Sequence, residues 1–249
     1  MAELFERAWP AADAKGAVVI VHGLAEHSGR YEYVAQAFNA AGYSAYAQDA
    51  RGHGQSVGFP GDMGGDPDRV LDDLVELCTR VHREHDVVFC LAHSMGTLFS
   101  VPAVARMSSD TLHGLVLSGT VGAPGPATEE LMTKGSVPPE SVSRDHGIVK
   151  AYVEDPLVFE QVPQELLALA GDVTAKFFEA IPNITLPDLL IHGEDDLLCG
   201  LAGAQLVHTQ LVGTDKTLLT YPGLYHEVLN EPERDKVIAD VVAWLDARV

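Results

Sequence analysis

The amino-acid sequence predicts a single α/β domain whose sheet is mostly parallel and is covered by helices on both faces. Short β-branched or apolar runs alternate with segments of helical spacing, and this alternation is typical of parallel sheets. The chain has 249 residues, of which 47% are hydrophobic, so it can bury one large core. The alternation is interrupted once, near the middle of the chain, where we expect an insertion.

The first predicted elements form a strand, helix, strand unit. Residues 17–23 (AVVIVHG) are a short β-branched run that ends in glycine. Residues 30–42 have the apolar spacing of a helix with a glycine stop, and residues 43–49 return to a strand pattern.

The next predicted elements continue the alternation. Residues 67–85 begin with a proline near the first turn, which favours a helix start. The apolar residues of this segment share one helical face: Val70, Leu71, Leu74, Cys78 and Val81. Residues 86–92 are predicted to form a buried strand, residues 95–107 a helix and residues 112–119 another strand.

The alternation stops over residues 120–182, where Pro, Gly and Ser crowd between short apolar pieces. We interpret this segment as an inserted cap or lid, so the core comprises residues 1–119 and 183–249. Two strands and two helices then complete the core: residues 186–193 and 216–223 as strands, and residues 200–212 and 232–247 as helices.

The composition excludes several classes of partner. The formal net charge of −20, from 36 acidic against 16 basic residues, repels nucleic-acid phosphates, so we expect no nucleic-acid partner. No stretch approaches the roughly 18–20 apolar residues that a membrane span requires. The amino terminus lacks the residue order of a signal peptide. These features indicate a soluble protein, and any membrane contact should be transient and made through the cap.

The three cysteines, Cys78, Cys90 and Cys199, are too few and too scattered for a disulfide framework or a zinc cluster. They suit a reducing compartment, and we therefore expect a cytoplasmic protein. We expect neither a metal nor an organic cofactor, and the sequence predicts no particular oligomeric state.

A serine follows the apolar strand 86–92 at the point where a helical pattern begins. Ala92, Ser94 and Gly96 form the pattern A-x-S-x-G, one methyl group away from the G-x-S-x-G nucleophile elbow. Such an elbow needs small residues on either side of the serine, because the strand and the helix nearly touch there. A match of this kind is often an ordinary turn or an N-cap serine, but the preceding strand and following helix favour a nucleophile.

A serine hydroxyl becomes a good nucleophile only when an oriented base removes its proton. In folds that carry this elbow, the chain order is serine, then aspartate or glutamate, then histidine. A strand is followed by Glu194, Asp195 and Asp196, and the last predicted strand is followed by His226. The sequence therefore predicts His226 as the base, while spacing alone leaves the three acids open.

Attack on an ester produces an oxyanion, which two backbone N–H groups should stabilise. Met95, directly after the serine, supplies one, and the loop after the first strand supplies the other, most simply at Leu24. Gly23 lets the chain turn close to this site.

Five segments of the sequence resemble the monoacylglycerol lipase family of serine hydrolases, also called lysophospholipase-like. In chain order they are HGLAEHSGRY (22–31), DARGHGQS (49–56), AHSMGT (92–97), IHGEDDLLC (191–199) and YPGLYHEVLNEP (221–232). The resemblance implies an α/β-hydrolase fold with a mostly parallel sheet of about eight strands and a mobile cap. It also implies Ser94 as nucleophile, Asp196 as acid and His226 as base, with the Leu24 and Met95 amides as the oxyanion hole.

The family resemblance implies a serine esterase that hydrolyses monoacylglycerols to fatty acid and glycerol through an acyl-Ser94 intermediate. Gly23, Glu26, His93 and Cys199 are further candidates for contacting a small lipid ester substrate. For Glu26, together with His27 and Arg30, bracing the oxyanion loop is favoured over contact with a substrate headgroup. The alternative activities are a lysophospholipase or a general carboxylesterase, and a different class is a ligand-binding, receptor-like protein on a hydrolase fold.

Overall fold

A computed structural model describes residues 4–58 and 60–249. Within these residues the sheet has seven strands in the order β1-β3-β2-β4-β5-β6-β7, and only the pairing of β1 with β3 is antiparallel. The strands are β1 Glu6–Trp9, β2 Gly16–Val21, β3 Tyr43–Gln48, β4 Val88–His93, β5 Gly114–Ser118, β6 Asp188–Gly193 and β7 Lys216–Tyr221. The predicted α/β fold with a mostly parallel sheet is confirmed, with seven described strands where about eight are implied by the resemblance.

The helices lie on both faces of the sheet. They are α1 Glu32–Ala40, α2 Pro67–Glu84, α3 Met95–Val104, α4 Thr128–Lys134, α5 His146–Glu154, α6 Gln164–Ala180, α7 Leu201–Gln210 and α8 Arg234–Asp246. Alternate residues of the central strands enter two separate cores: in β4, Cys90 packs in the core shared with α2 and α3, whereas Leu91 packs in the core shared with α1 and α8. None of the helices described combines the length and apolar character needed to cross a bilayer.

The segment predicted as a cap lies between β5 and β6 and contains α4, α5 and α6. The longest of these helices, α6, packs against α3 through the buried side chains of Leu166, Leu169, Val173 and Phe177. The boundaries of the cap as a separate unit stay a prediction.

A buried carboxyl group at the start of β6 should make stability depend on pH. Asp188 is 0% exposed, and neither of its carboxylate oxygens has a hydrogen-bond partner among the described residues. Burial raises its pKa to about 7, and the charge of Lys216 only partly opposes this. Because the folded-state pKa exceeds the unfolded value of about 3.9, the folded chain holds this proton more tightly, and stability falls as the pH rises from about 4 to about 7.

We therefore expect the free energy of unfolding of Asp188→Asn to depend less on pH than that of the parent. Between pH 5 and 8 the parent should lose about 2–3 kcal/mol that the variant does not. Urea unfolding at both pH values measures the difference. Asp172→Asn, which removes an exposed carboxylate on α6, is the control and should retain the parent's pH dependence. Equal slopes for parent and Asp188→Asn would contradict the assignment.

Candidate active site

Ser94 lies on the sharp turn between β4 and α3. Its φ of 51° and ψ of −121° are unfavourable for a residue with a side chain. A Cβ atom at Gly96 would lie 2.6 Å from the carbonyl oxygen of Val21 and 2.7 Å from that of His22, so only glycine fits there. The neighbouring backbone of β2 therefore imposes the small residue that the elbow pattern requires.

Asp196 and His226 lie on the loops after β6 and β7, and their side chains meet. The Nδ1 atom of His226 lies 2.8 Å from Oδ2 of Asp196. The other carboxylate oxygen of Asp196 accepts the backbone N–H groups of Leu198 at 2.8 Å and Cys199 at 2.9 Å. Glu194 and Asp195 are exposed, so among the three neighbouring acids Asp196 is the one that contacts the histidine.

The ionisation of the pair follows from burial and mutual charge. For His226, burial lowers the pKa, but the charge and hydrogen bond of Asp196 more than offset this, with a further increase from Glu227 and Glu26, and the pKa is raised above 6.5. For Asp196, burial raises the pKa, but the charge and hydrogen bond of His226 outweigh it, and the pKa lies below its usual range. Asp196 is thus ionised, and its negative charge stabilises the protonated form of the His226 imidazole.

Ser94 and His226 line one cavity of about 320 Å³ at the carboxyl ends of the central strands. Nδ1 of His226 is hydrogen-bonded to Asp196, so Nε2 is the ring nitrogen that can face a nucleophile. The Ser94 side chain makes no capping hydrogen bond to α3, so its hydroxyl is not held by the helix that follows it.

The two predicted oxyanion donors flank Ser94. Met95 is the first residue of α3, so its N–H has no acceptor within that helix. Leu24 lies in the loop after β2 and lines the same cavity. Ala25 adopts a φ of 63°, so the loop makes a left-handed turn of the kind that glycine favours.

Gly23 and Glu26 shape this loop. A Cβ at Gly23 would lie 2.9 Å from Oε1 of Glu26 and 3.2 Å from Cβ of Ser94, so a side chain there would crowd both residues. The Gly23 N–H donates to Oε1 of Glu26 at 2.6 Å. Both residues border the cavity, and Glu26 braces the loop.

His93 borders the cavity beside the predicted base. Its ring lies 4.7 Å from the His226 ring, measured between centroids, and its Nδ1 is 3.2 Å from Oγ of Ser118. Burial, together with the charge of His226, lowers the pKa of His93 to about 3. His93 therefore packs against His226 as a neutral ring.

Cys199 lines the cavity and is half-buried. Burial and the charge of Asp196 raise the pKa of its thiol well above the usual range, so little thiolate forms at neutral pH. Cys199 can therefore contact a molecule bound in the cavity, but its thiol stays protonated and is a poor nucleophile.

A charged residue that the sequence analysis missed lies beside the base. Glu227 is 5% exposed and lines the cavity, and its carboxylate accepts two hydrogen bonds from Arg30, at 2.6 and 2.7 Å. The sequence signals for Glu227 are its position directly after His226 and its place in the segment 221–232. Its partner Arg30 is far away in the chain.

The rest of the cavity wall is mainly apolar. Its apolar side chains come from α3, from the segment predicted as a cap and from the loop after β6: Leu98, Val121, Leu131, Met132, Val137, Val142, Leu167, Ala170 and Leu198. The cavity thus has a polar end, at Glu26 and Glu227, and a mainly apolar remainder that also includes Thr128 and Thr174. Such a division suits a molecule with one polar and one hydrocarbon part.

Comparisons with known proteins agree with this geometry. The family model Hydrolase_4 (serine aminopeptidase, S33) matches residues 12–233. The chain is 35% identical to a monoacylglycerol lipase of Mycolicibacterium smegmatis, over 95% of this chain and 90% of that protein. It is 30% identical to the mouse monoglyceride lipase, over 99% and 88% respectively. The crystal structure of the Paleococcus ferrophilus monoacylglycerol lipase is similar with a TM-score of 0.86 at 28% identity, covering 99% of this chain and all of that one.

Proposed function

We propose that this chain, which belongs to the Hydrolase_4 family and to its monoacylglycerol lipase-like α/β hydrolases, hydrolyses monoacylglycerols to fatty acid and glycerol. The observation that carries the proposal is the hydrogen-bonded Asp196–His226 pair, which shares with Ser94 a cavity that is polar at one end and apolar over the rest. The relatives named as monoacylglycerol lipases support the same carboxylic ester hydrolase class.

The proposed reaction uses these groups in two steps. Nε2 of His226 takes the proton of the Ser94 hydroxyl as Oγ attacks the ester carbonyl carbon, and the oxyanion is held by the N–H groups of Leu24 and Met95. Collapse of this intermediate breaks the bond to the glycerol oxygen, which receives the proton from His226. Water, deprotonated by the same imidazole, then attacks the acyl carbon. The bond to Ser94 Oγ breaks, the imidazole returns the proton to this oxygen, and the fatty acid is released. Asp196 orients the ring and stabilises its charged form.

The polar end of the cavity favours a neutral headgroup. Arg30 is the cation there, and it is already bonded to two carboxylates, Glu26 and Glu227. A phosphate placed beside them would meet a net negative charge and would lose its water. Glycerol hydroxyls, by contrast, can donate hydrogen bonds to carboxylate oxygens.

The cations of the predicted cap do not offer a phosphate site either. Lys134 lies 2.5 Å from a Glu130 oxygen, and Lys150 lies 3.8 Å from Glu154. Arg144 bonds Glu231 and Glu233, and Lys176 lies 3.2 Å from an oxygen of Asp68. Since each of these charges has an acidic neighbour, the structure supports monoacylglycerol over lysophospholipid.

The proposed substrate preference has a direct test. We expect kcat/KM for 1-oleoylglycerol to exceed that for 1-oleoyl-lysophosphatidylcholine by at least about tenfold, a difference of about 1.4 kcal/mol in transition-state binding. The two substrates share one acyl chain and should be compared in the same detergent micelles. p-Nitrophenyl butyrate, which has no glycerol or phosphate, is the control for the chemical step. A preference for the lysophospholipid would contradict the proposed headgroup, and tight binding without turnover of any ester would favour a receptor.

The proposal also includes brief contact with a lipid surface and a location in the cytoplasm. Met132 of α4 and Val153 of α5 are 54% and 57% exposed, and they suit brief contact with a lipid surface from which the substrate is taken. The cytoplasm stays the predicted location, in keeping with the three free thiols.

A further inference from the structure

The guanidinium of Arg30 joins two loops that are distant in the chain. Its Nη1 donates to Oε2 of Glu26 at 2.7 Å and to Oε1 of Glu227 at 2.6 Å, and its Nη2 donates to Oε2 of Glu227 at 2.7 Å. Glu26 belongs to the loop after β2, and Glu227 belongs to the loop after β7. One side chain therefore fixes the separation of the two loops.

Each carboxylate in turn holds backbone or side-chain groups of its own loop. Glu26 accepts the N–H of Gly23, the residue before Leu24, at 2.6 Å and the hydroxyl of Tyr31 at 2.8 Å. Glu227 directly follows His226 and accepts the side-chain amide of Asn230 at 2.9 Å. The connection thus runs from one oxyanion donor to the base.

We infer that Arg30 and Glu227 are positioning residues, which hold the oxyanion loop and the base loop at the separation that the reaction needs. The inference rests on the proposed function, because it assigns these residues to the geometry of that same site. Neither residue touches the reacting atoms; each acts through Leu24 or His226.

The arrangement requires arginine in particular. Arg30 is 9% exposed along its side chain, and its guanidinium lies 4.8 Å from the centre of the Tyr152 ring. The planar guanidinium reaches both carboxylates at once, whereas a lysine ammonium is a single point on a flexible stem. A lysine at this position would keep the positive charge and lose the fixed link.

The same residues act on the charge of the base. Around the His226 ring, the ionisable groups are the carboxylates of Asp196, Glu227 and Glu26, the guanidinium of Arg30 and the imidazoles of His93 and His192. Burial lowers the pKa of both neighbouring histidines, so they contribute little positive charge. Since Glu227 helps to raise the pKa of His226, removing its charge should lower that pKa.

The test compares Arg30→Lys and Glu227→Gln with the parent, using p-nitrophenyl butyrate as substrate. We expect Arg30→Lys to lower kcat about 10- to 100-fold with KM within about twofold, because a small displacement of catalytic groups costs this much. Glu227→Gln keeps the shape of the side chain. It should lower kcat and move the acid limb of the kcat/KM profile to lower pH.

Arg106→Lys is the matched control, since Arg106 also bridges two carboxylates, those of Asp68 and Asp72, but bonds neither the loop after β2 nor the loop after β7. It should retain the parent's kcat and pH profile. Parent-like kcat in Arg30→Lys and Glu227→Gln would overturn the inference. The inference would also be overturned if the activity of both variants fell only in proportion to the amount of folded protein and the acid limb of Glu227→Gln stayed at the parent's pH. A parent inactive on all esters would instead overturn the proposed function, and this inference with it.

Discussion

Replacing Ser94 by alanine is expected to lower kcat by about 10⁴- to 10⁶-fold, because the nucleophile and its acyl intermediate are both lost. Any residual hydrolysis would come from the oxyanion donors and from binding. Turnover of p-nitrophenyl butyrate and of 1-oleoylglycerol measures the effect. The parent should also release a burst of nitrophenol as acyl enzyme forms, and the variant should show none.

The loss of activity should come from chemistry and not from unfolding. Alanine has a Cβ atom like serine, so the strained backbone at a φ of 51° is the same in both proteins. We expect the free energy of unfolding to change by less than about 0.5 kcal/mol. Ser100→Ala, in the helix that follows, is the control: it removes a buried hydroxyl bonded to the Gly96 carbonyl at 2.7 Å and should leave kcat nearly unchanged.

A covalent probe gives an independent measurement. The Ser94 Oγ should attack the phosphorus of a fluorophosphonate and displace fluoride, while His226 takes the hydroxyl proton. Mass spectrometry should then find the phosphonyl group on the peptide that contains Ser94. Labelling of Ser94→Ala at the parent's rate, or activity above about 1% of the parent, would show that another residue is the nucleophile.

The elbow could be predicted from sequence because its determinants are local. The strand 88–93, the serine and the helix 95–104 are contiguous, and the small residue at Gly96 follows from the close approach of strand and helix. Spacing alone left Glu194, Asp195 and Asp196 open, since the turn after β6 decides which carboxylate is buried against His226.

Four described elements were missed, β1 and the three cap-segment helices α4, α5 and α6, and β1 and α6 show two different reasons. The edge strand β1 has four residues and pairs with β3 alone, so its alternation is too short to detect. The helix α6 has a readable signal: Leu166, Leu169, Val173 and Phe177 recur at helical spacing. The many Pro, Gly and Ser residues before it favoured an irregular interpretation of the whole segment.

The link between Arg30 and Glu227 could not be predicted from the sequence by periodicity or motif spacing. The two residues are separated by 197 positions, and they meet because the loops after β2 and β7 both lie at the carboxyl edge of the sheet. Their long separation also explains why the sequence analysis placed Arg30 with Glu26 in one loop without finding Glu227, the second carboxylate that Arg30 binds. A buried cluster of an arginine and two glutamates forms only when the order and register of the strands bring its loops together.

Replacing Asp196 by asparagine is expected to lower kcat by about 10⁴-fold. The amide of asparagine can donate to Nδ1 of His226, which places the ring proton on Nε2, where it cannot accept the serine proton. The oxygen that remains can still accept the N–H groups of Leu198 and Cys199, so the loop should keep its structure. Asparagine is therefore a sharper test than alanine.

The pH profile provides the second result. His226 must be neutral to act as base, so activity is lost as the pH falls through its folded-state pKa. In the parent, burial lowers this pKa, but the charge and hydrogen bond of Asp196 raise it more, so that it lies above 6.5. Without the charge of Asp196, the pKa of His226 should fall, and the acid limb of kcat/KM should move to lower pH even though the rate is smaller.

The neighbouring Asp195→Asn should change neither kcat nor the acid limb, because Asp195 is exposed. If Asp196→Asn retained more than about a tenth of kcat, or if its acid limb coincided with the parent's, Asp196 would not be the group that orients the base.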